Sequence, residues 1–330
     1  MAVPVAVTKS WDYLATSTYE KIQPFISDIV TAQVALIHAL IDHGIAEEQA
    51  GGTQLVFPVF QELQTVQAYS DLDTLTVARA NPTTAAIYDW KQLSVPVQIS
   101  GRDMAINLGD DVQVQRVLRV FIDSAILSMR NGMNQQLFST NDDNAAGITG
   151  LRTFLTHVSN DDPTTGTVGR LNRATYTGWR NQVRNVASDF SANGYTRMHQ
   201  LYIDCTRGDE MPDLIALTSS AYANFIINST ATFNYNLPLT APAGDLDVGY
   251  GKVTFNRAIV IHDGHCPADN GYFINSKYAH FISHPRRNVE LGPWVVPANQ
   301  DAIVSHVRWM GNNCFSAMTI HGLLLNGDTN

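Results

Sequence analysis

A chain of 330 residues, 45% of them hydrophobic and 15% charged, has the apolar material for one large core or two ordinary ones, which excludes disorder as its dominant state. Its formal net charge of -9 comes with no basic block, so tight autonomous DNA binding through phosphate neutralisation is disfavoured, although contact imposed by confinement is not. Cys205, Cys266 and Cys314 are widely spaced and in no Cys-x-x-Cys arrangement, so neither a disulfide framework nor a structural zinc site is suggested; no secretory signal opens the chain and no apolar run approaches the ~20 residues that span a bilayer, so the expectation is a cytosolic product with no membrane partner.

Residues 1–23 are mixed and weakly periodic, with Trp11, Tyr13 and Tyr19 as anchors, and suit an arm laid across another surface. Pro24 opens a helix in which Ile26, Ile29, Val30, Ile37, Leu40 and Ile41 fall at helical spacing, and Gly44 stands where a left-handed C-terminal cap is wanted. Gly51-Gly52 break that pattern, and from Thr53 the chain turns β-like through Leu55-Val56-Phe57. After a polar interval rich in Asp and Thr, a second extended run begins near Ala85. It ends with Leu93, Val95, Val97 and Ile99 alternating against Ser94, Pro96, Gln98 and Ser100, the pattern of a strand with one apolar face. Pro96 cannot donate to a ladder, which puts this strand at an edge. Two long strands with a long tip and no helix between them make a hairpin without a core of its own. Such a ribbon is marginal in water, and a neighbouring subunit is the support it calls for.

Gly109 to Thr140 is the longest periodic stretch. Val117, Phe121, Ala125, Met129, Met133 and Leu137 form one row four apart, and Val114, Leu118, Ile122 and Ile126 form another, so one broad helical face is apolar. Asp110 and Asp111 suit the partial positive charge of the helix start. About thirty residues make a rod of ~45 Å. A polar loop over 141–147 leads to a predicted strand at 148–157, then a turn-rich stretch at 160–169. Thr175 to Asn185 mixes Tyr176 and Trp179 with Arg180 and Arg184. Tyr195 to Thr206 reads as a helix with Met198, Leu201, Tyr202 and Cys205 inward; Leu214 to Leu217 reads as a short buried strand, and Ser219 or Ser220 as the cap of a helix over Tyr222 to Ile227. Val253 to Ile261 and Tyr272 to Asn275 are further strands, and Ala302 to Leu325 reads as β with a turn at Gly311-Asn312-Asn313.

Five stretches, weak singly but specific in their order, resemble the major capsid proteins of tailed bacteriophages with the Hong Kong 97-type fold. They are His43-Gly44-Ile45-Ala46 with Gly51-Gly52-Thr53 and Phe57-Pro58; Ala85-Ala86 to Ile99-Ser100; Ile148-Thr149-Gly150-Leu151 with Arg173 to Asn181; Pro212-Asp213-Leu214-Ile215 with Tyr222; and Phe255 to Asp263 with Phe273-Ile274-Asn275. The resemblance implies an α+β fold divided into an N-terminal arm and helix (1–49), an extended loop (50–108), a spine helix with a peripheral domain (109–188), an axial domain (189–285) and C-terminal strands returning to the peripheral domain (286–330). It implies a structural, non-enzymatic shell subunit without cofactors. Its partners would be further copies in pentamers and hexamers, a portal protein, a possible decoration protein, and packaged double-stranded DNA bound without sequence specificity. Some members carry a long built-in scaffold before the extended loop. About fifty residues precede it here, so a separate scaffolding protein is implied. A nanocompartment shell of the same fold, enclosing a cargo enzyme, is the nearest rival.

On this reading Phe57, Tyr69, Tyr88, Trp90, Val95 and Val97 are the inter-subunit residues of the extended loop, and Val117, Phe121, Ile122, Met129 and Met133 form the spine-helix core. Chemistry elsewhere is sparse. His262-Asp263-Gly264-His265-Cys266 is the one metal-like cluster and the basis of the remaining rival, a soluble α/β enzyme; five consecutive residues put alternate side chains on opposite faces, so a capped turn is the simpler account. Gly244, Gly249 and Gly251 before Lys252 fail the spacing of a phosphate loop. Lys91, the only Lys in the extended loop, is a poor candidate for the isopeptide cross-link some family members form, because it lies on the returning strand and is expected to be solvated.

Overall fold

The computed structural model describes residues 35–61, 66–75, 82–102, 111–156, 163–186, 190–233, 253–268 and 270–325, with backbone alone for 111–117 and 229–233. The expected arm, the start of the first helix and the glycines before Lys252 lie outside these residues, as does the side chain of Val117.

Helix α1 (Ala35–Asp42) buries Leu36, Ile37, Ala39 and Leu40. It stops at Gly44, whose φ of 71° is the left-handed geometry that closes a helix; the Ile45 amide then donates to Leu40 O at 2.9 Å. Beyond it lie two sheets, connected by repeated crossings of the chain. The first holds β1 (Ala46–Glu48), β12 (Ala279–Ser283), β14 (Ala302–Phe315) and β13 (Glu290–Leu291), with β4 (Lys91–Ser100) antiparallel to β14 from Gly311 down to Ala302. Among the described residues β4 has no second ladder partner, so Pro96, opposite His306, sits on an edge strand where its missing N–H costs nothing. The second sheet runs β7 (Gln182–Asn185), β15 (Gly322–Leu325), β11 (Asn270–Ile274), β8 (Leu214–Leu217), β10 (Ala258–His262) and β9 (Val253–Phe255).

Helix α2 (Asp111–Leu137) is 27 residues, ~40 Å, and packs along β4. Leu118, Ile122, Ala125, Ile126, Met129, Met133 and Leu137 are buried beneath it. Phe121 is a correction: it stands 39% exposed, ~60° around the helix from Leu118 and on the shoulder of the stripe opposite Ile122. Where the helix ends, Phe138 meets Tyr272 at 5.8 Å, tying it to one face of the second sheet. Helices α4 (Tyr195–Cys205) and α5 (Ser219–Phe233) cover the other face. Alternation along β8 serves both sides, with Leu214 and Ala216 toward the α2 core and Ile215 and Leu217 toward α4 and α5. Met198, Leu201, Tyr202 and Cys205 are the buried side chains of α4.

Four local expectations are corrected. Residues 151–154 form a one-turn helix, α3 (Leu151–Phe154), because Ile148, Leu151, Phe154 and Leu155 bury at helical spacing. The stretch from Val253 is a hairpin, since Asn256 and Arg257 adopt φ of 47° and 77° and reverse the chain in two residues. Thr218, not the serines after it, caps α5, its hydroxyl accepting from the Ala221 amide at 3.2 Å. Strand β14 runs straight through Gly311-Asn312-Asn313: a Cβ on Gly311 would lie 2.2 Å from Ile282 O, so glycine here admits the neighbouring strand rather than turning the chain. Asn312 is buried and spends its carboxamide across the sheet, accepting from Thr149 N at 3.0 Å and donating to Asp89 O at 2.9 Å.

The sheets also cross the expected domain limits. β7, from the expected peripheral part, and β15, from the expected returning strands, both lie in the six-stranded sheet, whereas β12, from the expected axial part, lies in the five-stranded one. All four residues of β15 are buried, which suits the interior position between β7 and β11.

Two consequences can be measured. Met129→Asp places an unpaired charge in the core at a cost of several kcal/mol and should give insoluble or unfolded subunits, whereas Phe121→Asp should keep native circular dichroism and lose no more than about 1 kcal/mol by urea denaturation. The reverse ranking would mean the helix face is misassigned. His321 is fully buried, with Nδ1 accepting from the Asn275 amide at 3.1 Å, and burial, with nearby His280 adding to it, pushes its pKa down to about 3 from the usual 6.5. The unfolded chain binds this proton from about pH 6.5 downward and the folded chain does not until about pH 3. Stability is therefore full above that window and falls on acidification through it, by at most ~1.4 kcal/mol per pH unit. His321→Gln should flatten the pH dependence of the urea midpoint in this range, and an unchanged slope would refute the assignment.

Candidate inter-subunit surface

Strands β2 (Leu55–Phe60) and β3 (Thr83–Tyr88) form an antiparallel hairpin that pairs with no other strand among the described residues; Leu55 faces Tyr88 at its base and Phe60 faces Thr83 at its outer end. The base belongs to the chain's own core. Leu55 and Tyr88 are fully buried, and the Tyr88 hydroxyl donates to Phe315 O at 2.8 Å; burial pushes that phenol's pKa well up, so it stays a neutral donor. Phe57 stacks on His280 at 4.8 Å, and the Trp90 indole N–H donates to Gly52 O at 2.9 Å. A small hairpin of β5 (Thr167–Val168) and β6 (Leu171–Asn172) closes over Tyr88, where Gly169 accepts from the Ile87 amide at 3.0 Å. A Cβ on Gly169 would stand 3.0 Å from the tyrosine ring, and φ there is 58°.

Exposure rises outward along the ribbon. Val56 is half exposed, Phe60 80%, Val66 95% and Leu72 99%, with Tyr69 and Leu75 also exposed. Val66, Tyr69, Leu72 and Leu75 recur every three residues around a turn in which Asp73 accepts from the Ser70 amide at 2.8 Å. Scattered apolar groups on a surface need no explanation, but a clustered set on one protruding element marks a surface that another chain covers. Between the outer hairpin (Val59, Phe60, Thr84) and the facing segment (Leu171, Tyr176, Trp179) opens a cleft of about 280 Å³.

Of the six residues expected at subunit contacts, Tyr69 alone is fully presented to solvent. Tyr88 and Val97 are corrected: both are buried in the chain's own core, because β4 is a strand of the five-stranded sheet rather than the second arm of the ribbon. Phe57, Trp90 and Val95 are half-buried against that same core. Sequence reasoning missed Val56, Phe60, Val66, Leu72 and Leu75. Their signal is present, as apolar residues on the outer ribbon and inside an interval whose average character is polar.

Lys91 is likewise corrected. It is 5% exposed, and its ammonium donates to the carbonyls of Asp143, at 2.8 Å, and Ala145, so it pins the loop after α2 instead of meeting solvent. The His262 to Cys266 loop is a tie between elements. Asp263 is buried and accepts from the Asn134 amide group at 2.9 Å, the Leu36 amide at 3.3 Å and the His265 amide at 2.8 Å, joining α2, α1 and the loop. His262 lies beside the Tyr222 ring, Cys266 donates to Asn270 O, and burial pushes the Cys266 thiol up and keeps it protonated. Among the described residues no three His, Cys, Asp or Glu side chains converge to hold a metal. One arrangement does have the spacing of a nucleophile relay: Glu47 to His280 Nδ1 is 3.0 Å, and His280 Nε2 to the Ser316 hydroxyl is 3.1 Å. The Ser316 amide is spent on Tyr278 O at 2.9 Å and is not free to stabilise an oxyanion; the trio clips β1 to β12 and to the turn after β14. Among the described residues no helix is long and apolar enough to cross a membrane.

No family model and no curated protein matches the sequence. Solved structures do. The capsid asymmetric unit of cyanophage A-1(L) superposes with a TM-score of 0.59 at 13% identity, over 85% of this chain and 89% of that one. The capsid of a native GTA particle computed with C5 symmetry matches with a TM-score of 0.56 at 12% identity, over 87% and 90%. Mycobacterium phage Ogopogo matches with a TM-score of 0.55 at 10% identity, over 89% and 93%. The chain has the Hong Kong 97-type capsid fold.

Proposed function

We propose that this chain is a major capsid subunit of a tailed phage, which self-assembles through pentamers and hexamers into a closed icosahedral shell around packaged double-stranded DNA. The observation that carries the reading is the hairpin, rooted in the chain's own core by Tyr88 and Phe57 and bearing Phe60, Val66, Tyr69 and Leu72 in water. Apolar groups held away from their own lobe are stabilised only by a second copy, and closed symmetry lets every copy satisfy the need at once. The net charge of -9 fits a wall that encloses DNA without gripping it, since phosphate contacts need a surplus of Lys and Arg. Assembly in the host cytoplasm on a separate scaffolding protein, a portal protein at one vertex and an added decoration protein complete the proposal.

Replacing residues 61–82 with Asn-Gly joins Phe60 to Thr83, the outermost register pair, with a turn suited to two antiparallel strands. The truncated subunit should keep native circular dichroism and thermal melting, because shortening a surface loop changes closure entropy little, while shells fail to form or fall apart on dilution. Normal shells from this variant would make the hairpin ornamental, and loss of fold would make it part of an internal core. Either result defeats the proposal.

A further inference from the structure

The hairpin tip and the cleft at its root are complementary in a way that identifies what each binds. The tip, residues 66–75, carries Asp71 and Asp73 and no basic residue. The segment that forms the cleft's far wall, residues 163–186, carries Arg170, Arg173, Arg180 and Arg184 and no acid. Some of that positive charge is already matched, Arg184 by Asp204 at 2.6 Å and Arg170 by Asp89 at 3.2 Å. Arg180, next to Trp179 in the chain, is held by the carbonyls of Arg173, at 2.8 Å, and Ala174, at 3.4 Å, which orient its guanidinium without cancelling its charge. The apolar parts match as well. The cleft, about 280 Å³, is walled by Phe60, Leu171, Tyr176 and Trp179 and is smaller than the ~300–1,000 Å³ of small-molecule pockets, which suits one or two inserted side chains. Leu72, 99% exposed, and Tyr69, 70% exposed, touch little of their own chain, so the tip does not fill its own cleft.

We infer that the tip of one copy's hairpin seats in the cleft of the adjacent copy, with Tyr69 and Leu72 against Phe60 and Tyr176 and with Asp71 and Asp73 toward the Arg180 rim. This rests on the reading of the chain as a shell subunit and names the surface its hairpin docks on. Tip and cleft are different patches of the same chain, so the contact is head-to-tail, and repeating it around an axis closes a ring. Rim charges of this kind set register and partner choice more than affinity.

Paired cysteines in the full-length protein test the contact. Ser70→Cys places a thiol at the tip and Thr177→Cys one on the cleft wall; the native Cys205, Cys266 and Cys314 are buried and contribute little background. Oxidation of assembled double variant should give a ladder of covalent multimers on a denaturing gel, absent from either single variant. Shells that assemble yet yield no ladder overturn the docking while leaving the shell reading intact. A ladder from a discrete small oligomer supports the docking and removes the shell reading. If that pair blocks folding, Leu72→Cys with Thr175→Cys probes the same juxtaposition. As an independent arm, Asp71→Arg with Asp73→Arg should lower shell yield at least tenfold, and adding Arg180→Asp should recover part of it; loss without recovery counts against the proposed charge pairing.

Discussion

The ladder between β4 and the first part of β14, ten residue pairs from Lys91–Gly311 to Ser100–Ala302, is the interaction on which the rest of the structure depends. It takes the segment after the hairpin and builds it into the five-stranded sheet, so the ribbon of β2 and β3 is left as a projection fixed at one end. Lys91, the first residue of that ladder, holds the loop after α2 through two carbonyls, and Tyr88, just before it, reaches the carbonyl of Phe315 at the far end of β14. Beyond Ser100 the chain leads to α2, which packs back along β4. One antiparallel pairing thus sets the root of the hairpin and the seat of the long helix together.

Anchoring at one end divides the hairpin into two physical regimes. Near its root, side chains bury in the chain's own core and the interactions are of ordinary folding kind: an aromatic stack of Phe57 on His280, a neutral tyrosine hydrogen bond, and a glycine at 169 that lets a turn approach an aromatic ring. Past Phe60 nothing in the described part of the chain covers the apolar groups. A folded subunit tolerates this because each exposed side chain costs only the burial it forgoes, roughly 1.5–3 kcal/mol for a Val, Leu or Phe, and that same free energy becomes available when a neighbour covers it. The incompleteness of the monomer is therefore a store of association energy, directed by where the root points the tip.

Much of this was legible in the sequence wherever periodicity and burial coincide. The two rows of α2, the inward face of α4 and the left-handed Gly44 needed only local pattern, because each expresses a choice made within one turn of helix. Phe121 slipped because a row four residues apart drifts around the helix, so its ends leave the buried stripe. The misread parts involve partners distant in the chain. Gly311-Asn312-Asn313 has turn composition, yet Ile282, Thr149 and Asp89 use the glycine's small size and the asparagine's carboxamide within a continuous strand. Lys91 reads as a surface cation until the Asp143 and Ala145 carbonyls, more than fifty residues away, are brought to it. Strand β4 alternates as a half-buried strand should, but alternation does not say whether its apolar side is covered by this chain or by another, and that ambiguity placed Val97 and Tyr88 at the wrong interface.

The central claim is that the hairpin's outer apolar surface is buried by a second copy in a closed shell, and electron microscopy of the purified, assembled protein tests it most directly. The account predicts icosahedral shells in whose reconstruction each hairpin lies across a neighbouring subunit, with Phe60, Val66 and Leu72 excluded from solvent. A discrete small oligomer, or shells whose hairpins project into solvent without touching another copy, would contradict it.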